Sequence, residues 1–345
     1  MLKGTRQPLS QAYGLALLDL DGVVYRGKLP VAHAAQSIRD AESAGMVVEY
    51  TTNNSSRDQA TVADQLKGFD LDVEPHQIIT SSIVAARMVA HAFPQGSKVI
   101  MSGAPHLREE IERQGLTLVD HVENGPVAAI QGWCPTMTWN ALANIAFAVE
   151  HGAEYYVTNR DLTIPRELGI APGSGSMVEA VITATGVQPV GSAGKPESAM
   201  YDEARALAAE DGEQMVAKER CLAIGDRLDT DVEAGNRGGY DSLVVLTGVA
   251  TPHQIILAPR HQRPTFVAVD LRDLASPMPE PQQVSENEWT CGDATARLDG
   301  KALTVSDATD INALRAACQL MWSLADGDAD FDVSAITLPE FKLGR

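Results

Sequence analysis

The chain is short of positive charge: it holds 27 lysine and arginine residues against 46 aspartate and glutamate residues, so that its 345 residues carry a formal charge of −19. A field this acidic repels phosphate backbones and anionic lipid surfaces, so we expect the protein to bind neither nucleic acid nor membranes. The same field opposes the approach of an anionic substrate. If the substrate is an anion, a local cation must reverse the sign of the potential at the site.

Long apolar runs and paired cysteines are also missing. No stretch approaches the roughly 18 uninterrupted apolar residues of a membrane span, and no apolar run precedes Leu15. We therefore expect neither a membrane span nor a signal peptide, and we expect the protein to be cytoplasmic. The four cysteines form no Cys-x-x-Cys pair or Cys/His cluster, so they are predicted to be buried or incidental thiols rather than zinc ligands.

From residue 15 to about residue 270, short apolar runs alternate with helical patterns. Several runs are apolar on both faces, as the strands of a sheet covered on both sides should be. In the helical pattern Trp139–His151, apolar residues recur at the spacing of one helix face. The sequence therefore predicts an α/β fold with a mainly parallel sheet. The predicted strands are Leu15–Leu18, Met46–Tyr50, Gln77–Thr80, Lys98–Met101, Val127–Gln131, Tyr155–Thr158, Cys221–Ile224, Ser242–Leu246 and Thr265–Val269.

The composition changes near residue 275, where the proline- and glutamine-rich stretch 276–283 predicts an extended linker. Beyond it, residues 284–345 carry eleven acidic and five basic side chains and no catalytic constellation. We expect this module to be a docking or dimerisation appendage, which makes a homodimer one expectation. Its predicted elements are strands at Trp289–Leu298, Ala302–Val305 and Val333–Leu338 and a helix at Ile311–Leu324.

The sharpest local signal is an apolar strand, Leu15–Leu18, that runs directly into Asp19, Asp21 and Gly22. This arrangement puts charge at the carboxyl end of a parallel strand, the edge at which ligands bind in open α/β sheets. Because strand side chains alternate, the two aspartates would share one face if the strand continued. The alternative is a turn rich in aspartate and glycine after a buried strand.

Polar residues follow another predicted strand and also precede a predicted helix. Met46–Tyr50 leads into Thr52, Asn53 and Asn54, neutral donors that suit a phosphate oxygen, although such residues are also ordinary helix caps. Further along, Lys195 is held at a Gly-Lys-Pro turn before a helical pattern. A single lysine of this kind could equally be solvated surface.

A second junction between a strand and acidic residues lies later in the chain. Cys221–Ile224 runs into Asp226, Arg227 and Asp231. Two such junctions in one sheet can direct their carboxylates at a shared cation, since Mg²⁺ prefers hard oxygen ligands. The two junctions together therefore point to a metal-assisted site.

With these segments in this order, the sequence resembles the haloacid dehalogenase superfamily. The motifs that carry the resemblance are Asp-x-Asp-Gly-Val from Asp19, Thr-Asn-Asn from Thr52, Gly-Lys-Pro from Gly194 and Gly-Asp-Arg-x-x-Thr-Asp from Gly225. The runs 158–161, 172–176 and 246–249 resemble the branch that holds the nitrophenyl-phosphatase-like and NagD-like enzymes. In that branch the cap is inserted between the second and third motifs.

The resemblance implies how the chain is divided. A Rossmann-like core with a parallel sheet would comprise residues 1–83 and 191–275, and an inserted α/β cap would comprise residues 84–190. The cap is expected to close over the phosphate site and to exclude water. Residues 284–345 would form a small α+β appendage, which resembles the extension of actinobacterial members regarded as glycerol-3-phosphate phosphatases.

The resemblance also implies a covalent mechanism. Asp19 would be the nucleophile whose carboxylate attacks phosphorus and forms an aspartyl-phosphate. Asp21 would protonate the leaving alkoxide and then activate water. The dehalogenases of the superfamily have no acid at this second position, so Asp21 favours a phosphatase.

Four further residues are implied to bind the phosphoryl group. Thr52, Asn53 and Asn54 would hold its oxygens, and Lys195 would neutralise the charge that the nucleophile and the phosphate share. Thr52 and Lys195 thereby join the two aspartates as implied catalytic residues.

The metal implied by the resemblance is Mg²⁺, bound by the carboxylates of Asp19 and Asp226 and by the backbone carbonyl of Asp21. Arg227 and Asp231 would support these ligands from outside the metal shell. Two ionised aspartates and a phosphate dianion amount to four negative charges, and each pair about 4 Å apart repels by about 4 kcal/mol at an effective dielectric constant near 20. Mg²⁺ and one lysine supply three positive charges, so a phosphatase of this kind should depend on the metal.

The substrate is expected to be a small phosphorylated metabolite. In the pyridoxal-phosphate phosphatases of this branch a histidine precedes the proline of an Asp-x-x-x-Pro run, whereas here Ile164 precedes Pro165. We therefore expect glycerol 3-phosphate first and 2-phosphoglycolate second, with pyridoxal phosphate and nucleotides as alternatives. A phosphomutase and a non-catalytic regulatory module are the competing classes of function. Release of free phosphate would separate the phosphatase from both.

Overall fold

A computed structural model describes residues 1–166, 168–209 and 214–344. The strands are β1 (Leu15–Asp19), β2 (Tyr25–Arg26), β3 (Leu29–Pro30), β4 (Val47–Thr52), β5 (Ile78–Thr80), β6 (Lys98–Ser102), β7 (Thr117–Leu118), β8 (Ala128–Gln131), β9 (Glu154–Val157), β10 (Thr163–Arg166), β11 (Gly169–Pro172), β12 (Gly191–Ser192), β13 (Cys221–Gly225), β14 (Asp241–Val245), β15 (Phe266–Ala268), β16 (Gln282–Ser285), β17 (Glu288–Cys291), β18 (Ala294–Asp299) and β19 (Ala302–Val305). The α-helices are α1 (Leu9–Ala12), α2 (Ala34–Ser43), α3 (Gln59–Lys67), α4 (Ser81–Ala92), α5 (Pro105–Arg113), α6 (Trp139–Glu150), α7 (Ser174–Thr185), α8 (Ala199–Leu207), α9 (Glu233–Gly238), α10 (Pro252–Ile256) and α11 (Ile311–Gly327). Short 3₁₀ segments cover Pro75–Gln77, Val122–Asn124, Lys218–Arg220, Arg260–Gln262, Leu271–Ala275 and Val333–Ala335, and a π-helical turn covers Leu228–Val232.

The chain divides into two compact units. The first comprises Met1–Tyr50, Phe69–Leu71 and Arg205–Arg345, and the second comprises Thr51–Gly68 and Asp72–Ala204. The second unit thus holds the expected cap together with flanking residues that were expected in the core, and the core and cap boundaries stay a prediction. Among the described residues, no helix is both long and apolar enough to cross a membrane.

In the first unit, strands lie side by side in the order β15, β14, β13, β1 and β4. Strands β1 and β13 pair in parallel, with Leu15 opposite Cys221 and Leu18 opposite Ile224. Every residue of both strands is buried, which explains why their sequences are apolar without alternation. Neighbouring parallel strands end at one edge of the sheet, so the residues that follow Leu18 and Ile224 emerge side by side. The predicted α/β class is confirmed.

The second unit is built on a parallel sheet of its own, in the order β12, β9, β8, β6 and β7. Its core is a buried cluster that includes Tyr155 of β9, Ile145 and Val149 of α6, and Val178 and Val181 of α7. The predicted apolar face of α6 is the face that packs in this cluster. This sheet therefore has a core separate from that of the first unit.

The C-terminal module folds as an antiparallel sheet in the order β16, β17, β18 and β19. The single strand predicted over Trp289–Leu298 is in fact two strands, because Gly292 has a φ of +55° and the chain turns between β17 and β18. Of the strand predicted over Val333–Leu338, only an isolated parallel bridge between Thr337 and Ala302 forms. The side chain of Asp332 accepts a hydrogen bond from the Ser334 N–H at 3.0 Å and starts a 3₁₀ turn there. The sheet is extended instead by β16, which begins inside the stretch that was predicted as a linker.

Helix α11 and the C-terminal sheet share one buried apolar cluster with the parallel sheet of the first unit. In it, Trp322 and Leu320 pack together with Val244, Ile255 and Val267. The indole N–H of Trp322 also donates to the carbonyl of Ile255 at 3.1 Å. The appendage therefore packs on its own chain and belongs to the core of the first unit.

Arg315 joins α11 to the edge strand β15. Its Nε and Nη2 donate to the carbonyl of Val267 at 2.9 and 2.7 Å. The outer side of an edge strand exposes unpaired carbonyls, and this contact pairs one of them. The C-terminal helix thereby covers the edge of the sheet.

We predict that Trp322→Ala lowers the free energy of unfolding by about 3–5 kcal/mol, because it empties a packed core site. Trp139→Ala is the matched control, since Trp139 is 76% exposed and Trp322 is 1% exposed. Urea unfolding of the full chain measures both. A loss of less than about 1 kcal/mol for Trp322→Ala would mean that the C-terminal helix adds nothing to the stability of the first unit.

Candidate active site

Three aspartates of the first unit meet at the carboxyl edge of its sheet. One oxygen of each of Asp19, Asp226 and Asp231 lies within 4.8 Å of the others. Asp19 ends β1, Asp226 follows β13, and Asp231 lies in the π-helical turn that comes next. The predicted meeting of the two strand-to-acid junctions is therefore seen directly, and it includes Asp231, which was expected outside the metal ligands.

Backbone N–H groups hold two of these carboxylates. Asp226 Oδ2 accepts from the Val249 N–H at 2.7 Å. Asp231 Oδ2 accepts from the Arg227 N–H at 3.1 Å and lies 3.4 Å from Thr230 Oγ1. Hydrogen bonds of this kind fix the position of a carboxylate.

Glycines make room for the same carboxylates. A Cβ at Gly248 would lie 1.8 Å from Asp226 Oδ2, and a Cβ at Gly225 would lie 2.1 Å from Asp231 Cγ. Both distances are far below van der Waals contact, so neither position accepts a larger residue unless the aspartate moves. Three hard carboxylate oxygens held this closely form a donor set that fits Mg²⁺.

Asp21 and Arg227 lie outside this group of three carboxylates. Asp21 is exposed, in the turn after β1, where the Gly22 N–H donates to the carbonyl of Tyr25 at 2.8 Å. The guanidinium of Arg227 forms a two-point pair with Asp229, at 3.0 and 2.8 Å. Arg227 therefore contacts Asp231 through its backbone, and its side chain is turned to another carboxylate.

The remaining predicted residues belong to the second unit. Thr52, at the end of β4, is buried, and its Oγ1 accepts from the Asn54 N–H at 3.1 Å. Asn54 is exposed, and its Oδ1 accepts from the backbone and the hydroxyl of Ser56 at 2.9 and 2.8 Å. Asn54 is not a helix cap, because the N-cap of α3 is Asp58. Its side chain instead closes a local turn with Ser56.

Asn53 and Lys195 are in direct contact. The Lys195 N–H donates to Asn53 Oδ1 at 2.8 Å, and Asn53 Nδ2 donates to the Lys195 carbonyl at 2.9 Å. Lys195 is 2% exposed, and its Nζ lies 5.9 Å from the centre of the Tyr201 ring. The alternative interpretation of Lys195 as solvated surface is therefore wrong, because the side chain is buried.

Four residues of these sites were not predicted from the sequence. Asn159 and Asp161 hydrogen-bond to Asn53, and Gly248 and Val249 line Asp226. All four lie in runs that resemble the phosphatase branch, so the signal was present. The sequence alone does not show which atoms these residues contact.

The four cysteines take no part in these sites. All four are free thiols, and Cys221, Cys291 and Cys318 are buried. Burial raises the pKa of Cys221 and of Cys291 to about 11, so both thiols are protonated at neutral pH. This agrees with the prediction of buried or incidental thiols.

Comparison with known proteins settles the family. A family model described as haloacid dehalogenase-like hydrolase matches residues 16–117, and one described as HAD-hydrolase-like matches residues 192–274. The D-glycerol 3-phosphate phosphatase of Mycobacterium tuberculosis is 38% identical over 266 residues, which are 77% of this chain and 72% of the relative. The chain belongs to the haloacid dehalogenase-like hydrolases, as its motifs predicted.

Solved structures give the same result. The glycerol phosphate phosphatase Rv1692 of Mycobacterium tuberculosis, in complex with magnesium, has a TM-score of 0.80 and 32% identity, and the match covers 97% of this chain and 96% of that one. The p-nitrophenyl phosphatase of Archaeoglobus fulgidus has a TM-score of 0.70 and 26% identity, and it covers 76% of this chain and 98% of its own. The resemblance to the nitrophenyl-phosphatase-like branch is confirmed.

We predict that Gly248→Ala weakens the binding of Mg²⁺ by about 10–100-fold, because the new methyl group displaces the Asp226 carboxylate. Gly327→Ala is the matched control, since a Cβ at that position would meet no atom within 4 Å. The measurement is the rise in melting temperature with added MgCl₂. Equal responses of the two variants would show that the position of Asp226 does not govern binding of the cation.

Proposed function

We propose that this phosphatase hydrolyses glycerol 3-phosphate to glycerol and inorganic phosphate. The observation that carries the proposal is the extent of the structural likeness. The glycerol phosphate phosphatase matches 97% of this chain, whereas the p-nitrophenyl phosphatase matches 76% of it. A match over 97% of the chain must take in most of the C-terminal module, whereas the shorter match leaves about a quarter of the chain unmatched.

We propose that Asp19, Asp226 and the backbone carbonyl of Asp21 hold Mg²⁺, and that Asp231, which lies beside the first two carboxylates, shares in the binding. The bound ion would offset the negative charge of the carboxylates and of the phosphate dianion. Electrostatics support this proposal. Buried carboxylates as close as Asp19 and Asp226 repel each other, and a dianionic substrate adds to that repulsion.

The first chemical step is assigned to Asp19. Its carboxylate oxygen attacks phosphorus, a P–O bond to the aspartate forms, and the bond between phosphorus and the glycerol oxygen breaks. Asp21 donates a proton to the departing alkoxide, so that glycerol leaves as the neutral alcohol. The exposed position of Asp21 in a turn suits a group that exchanges protons with solvent.

The second step returns the enzyme to its starting state. Asp21, now ionised, takes a proton from a water molecule, and the oxygen of that water attacks phosphorus. The bond between phosphorus and Asp19 breaks, the Asp19 carboxylate is restored, and inorganic phosphate leaves. We assign the phosphoryl oxygens to Thr52 and Lys195, since the hydroxyl donates a hydrogen bond and the ammonium group offsets negative charge.

The choice of a short aliphatic substrate is supported at Ile164. This residue lies in the hairpin of β10 and β11, opposite Ala171. Neither side chain can donate a hydrogen bond to a pyridine ring, which argues against pyridoxal phosphate. We place the enzyme in the cytoplasm because its four cysteines are unpaired, and a homodimer stays a prediction.

Asp19→Asn should lower kcat by at least about a thousandfold, since an amide oxygen is a poor nucleophile. Asp293→Asn, an exposed substitution of the same kind in the C-terminal module, should leave turnover unchanged. Phosphate release at saturating substrate measures both variants. A mild loss in Asp19→Asn would mean that another group attacks phosphorus.

Among small phosphomonoesters, glycerol 3-phosphate should give the highest kcat/KM in the presence of Mg²⁺. EDTA should abolish turnover, and added Mg²⁺ should restore it. A phosphate-release panel with 2-phosphoglycolate, pyridoxal phosphate and nucleoside monophosphates makes the comparison. Higher kcat/KM for pyridoxal phosphate or a nucleotide would overturn the substrate, and full turnover in EDTA would overturn the role of the metal.

A further inference from the structure

The side-chain amide of Asn53 spans the main chain of Lys195. Its Oδ1 accepts from the Lys195 N–H at 2.8 Å, and its Nδ2 donates to the Lys195 carbonyl at 2.9 Å. One amide thus satisfies both backbone groups of a single residue, with the geometry of a paired strand. The bonds set the position of the Lys195 main chain, from which its buried side chain starts.

The same amide has no hydrogen left for a phosphate oxygen. An asparagine side chain donates two hydrogens, both from Nδ2. One goes to the Lys195 carbonyl, and the other goes to Asp161 Oδ2 at 3.1 Å. The amide is therefore committed to protein partners, so the phosphate-binding role that the resemblance implies for Asn53 would not fall to its side chain.

The backbone of Asn53 is held from two sides. Its carbonyl accepts from Ser81 Oγ at 2.8 Å and from Asn159 Nδ2 at 2.8 Å. Gly194, which precedes the lysine, is tightly enclosed, since a Cβ there would lie 2.8 Å from Asn53 Oδ1 and 2.7 Å from the Cβ of Asn159. The glycine of the Gly-Lys-Pro motif is thus the residue that lets the amide approach the lysine.

The amino end of α7 holds the segment that carries Asn159 and Asp161. The Gly175 N–H donates to the Asp161 carbonyl at 2.8 Å, and the Gly173 N–H donates to the Leu162 carbonyl at 2.9 Å. A Cβ at Gly175 would lie 2.2 Å from the Arg160 carbonyl oxygen. The first N–H groups of a helix need partners outside it, and here they find two carbonyls of this segment.

We propose that Asn53 is a positioning residue that acts through Lys195. Its amide fixes the main chain of the lysine, and the segment 159–162, anchored on α7, fixes the amide. This inference rests on the proposed function, because it assigns Asn53 a part in placing the lysine that binds the phosphoryl group. The glycine- and serine-rich run at the start of α7 thereby supports the lysine from a distance.

A double-mutant cycle between Asn53 and Lys195 tests the proposal. Asn53→Ala should lower kcat/KM on the order of 100-fold, as a displaced catalytic group does. In the Lys195→Ala background the same substitution should have no further effect, because the residue it positions has gone. If the two losses multiply instead, Asn53 acts independently of the lysine and the proposal is wrong.

Binding of inorganic phosphate to the Mg²⁺-loaded protein, followed by thermal shift, repeats the cycle without turnover. Asn53→Ala should weaken phosphate binding when Lys195 is present and should not change it when Lys195 is alanine. Weakening in both backgrounds would overturn the proposal. Asn140→Ala, an exposed asparagine of α6, is the matched control and should alter neither measurement.

Exchanging the side chains at positions 53 and 161 tests the hydrogen bond from the Asn53 amide to Asp161. Asn53→Asp places a carboxylate beside the Asp161 carboxylate and should lower activity more than Asp161→Asn, which keeps an acceptor for the amide. Adding Asp161→Asn to Asn53→Asp should recover part of the loss, since one donor is restored. No recovery would count against the role of Asp161. Failure of the wild type to release phosphate would instead defeat the proposed function, independently of these variants.

Discussion

The first unit is organised around three buried carboxylates that repel one another. Asp19, Asp226 and Asp231 lie within 4.8 Å of one another, and each pair of unit charges at such a distance repels by several kcal/mol at an effective dielectric constant near 20. The fold holds them there through parallel strands β1 and β13 and through backbone N–H groups. A bound cation would relieve that repulsion. A protein with a charge of −19 can therefore act on an anionic substrate.

The positions of Asp19 and Asp226 could be predicted because they depend on residues that are neighbours in the sequence. Strands that are apolar on both faces and end in aspartate placed Asp19 and Asp226 at one sheet edge before any contact was known. Asp231 could not be assigned in this way, since its position depends on a π-helical turn that has no clear sequence pattern. The amide of Asn53 was likewise beyond prediction, because its partner is 142 residues away along the chain.

The C-terminal module illustrates a different limit. Its acidic composition and the proline-rich stretch before it predicted a docking or dimerisation appendage, and in the structure its helix packs in the core of the first unit. Arg315 is 7% exposed and lies 3.4 Å from Asp273. Burial lowers the pKa of Arg315, and the charge of Asp273 opposes that shift. A buried cation with a carboxylate partner and a strand-edge carbonyl is costly to separate, so the module is part of the fold it follows.

Both units place their charged groups through the main chain. In the first, backbone N–H groups hold Asp226 and Asp231, and Gly248 and Gly225 permit the close approach. In the second, a side-chain amide holds the backbone of Lys195. A backbone N–H has few rotatable bonds, so the carboxylates that such groups hold lose little conformational entropy when a cation binds. The glycines of the motifs follow from this design, because a backbone can approach a charged residue this closely only where no Cβ intervenes.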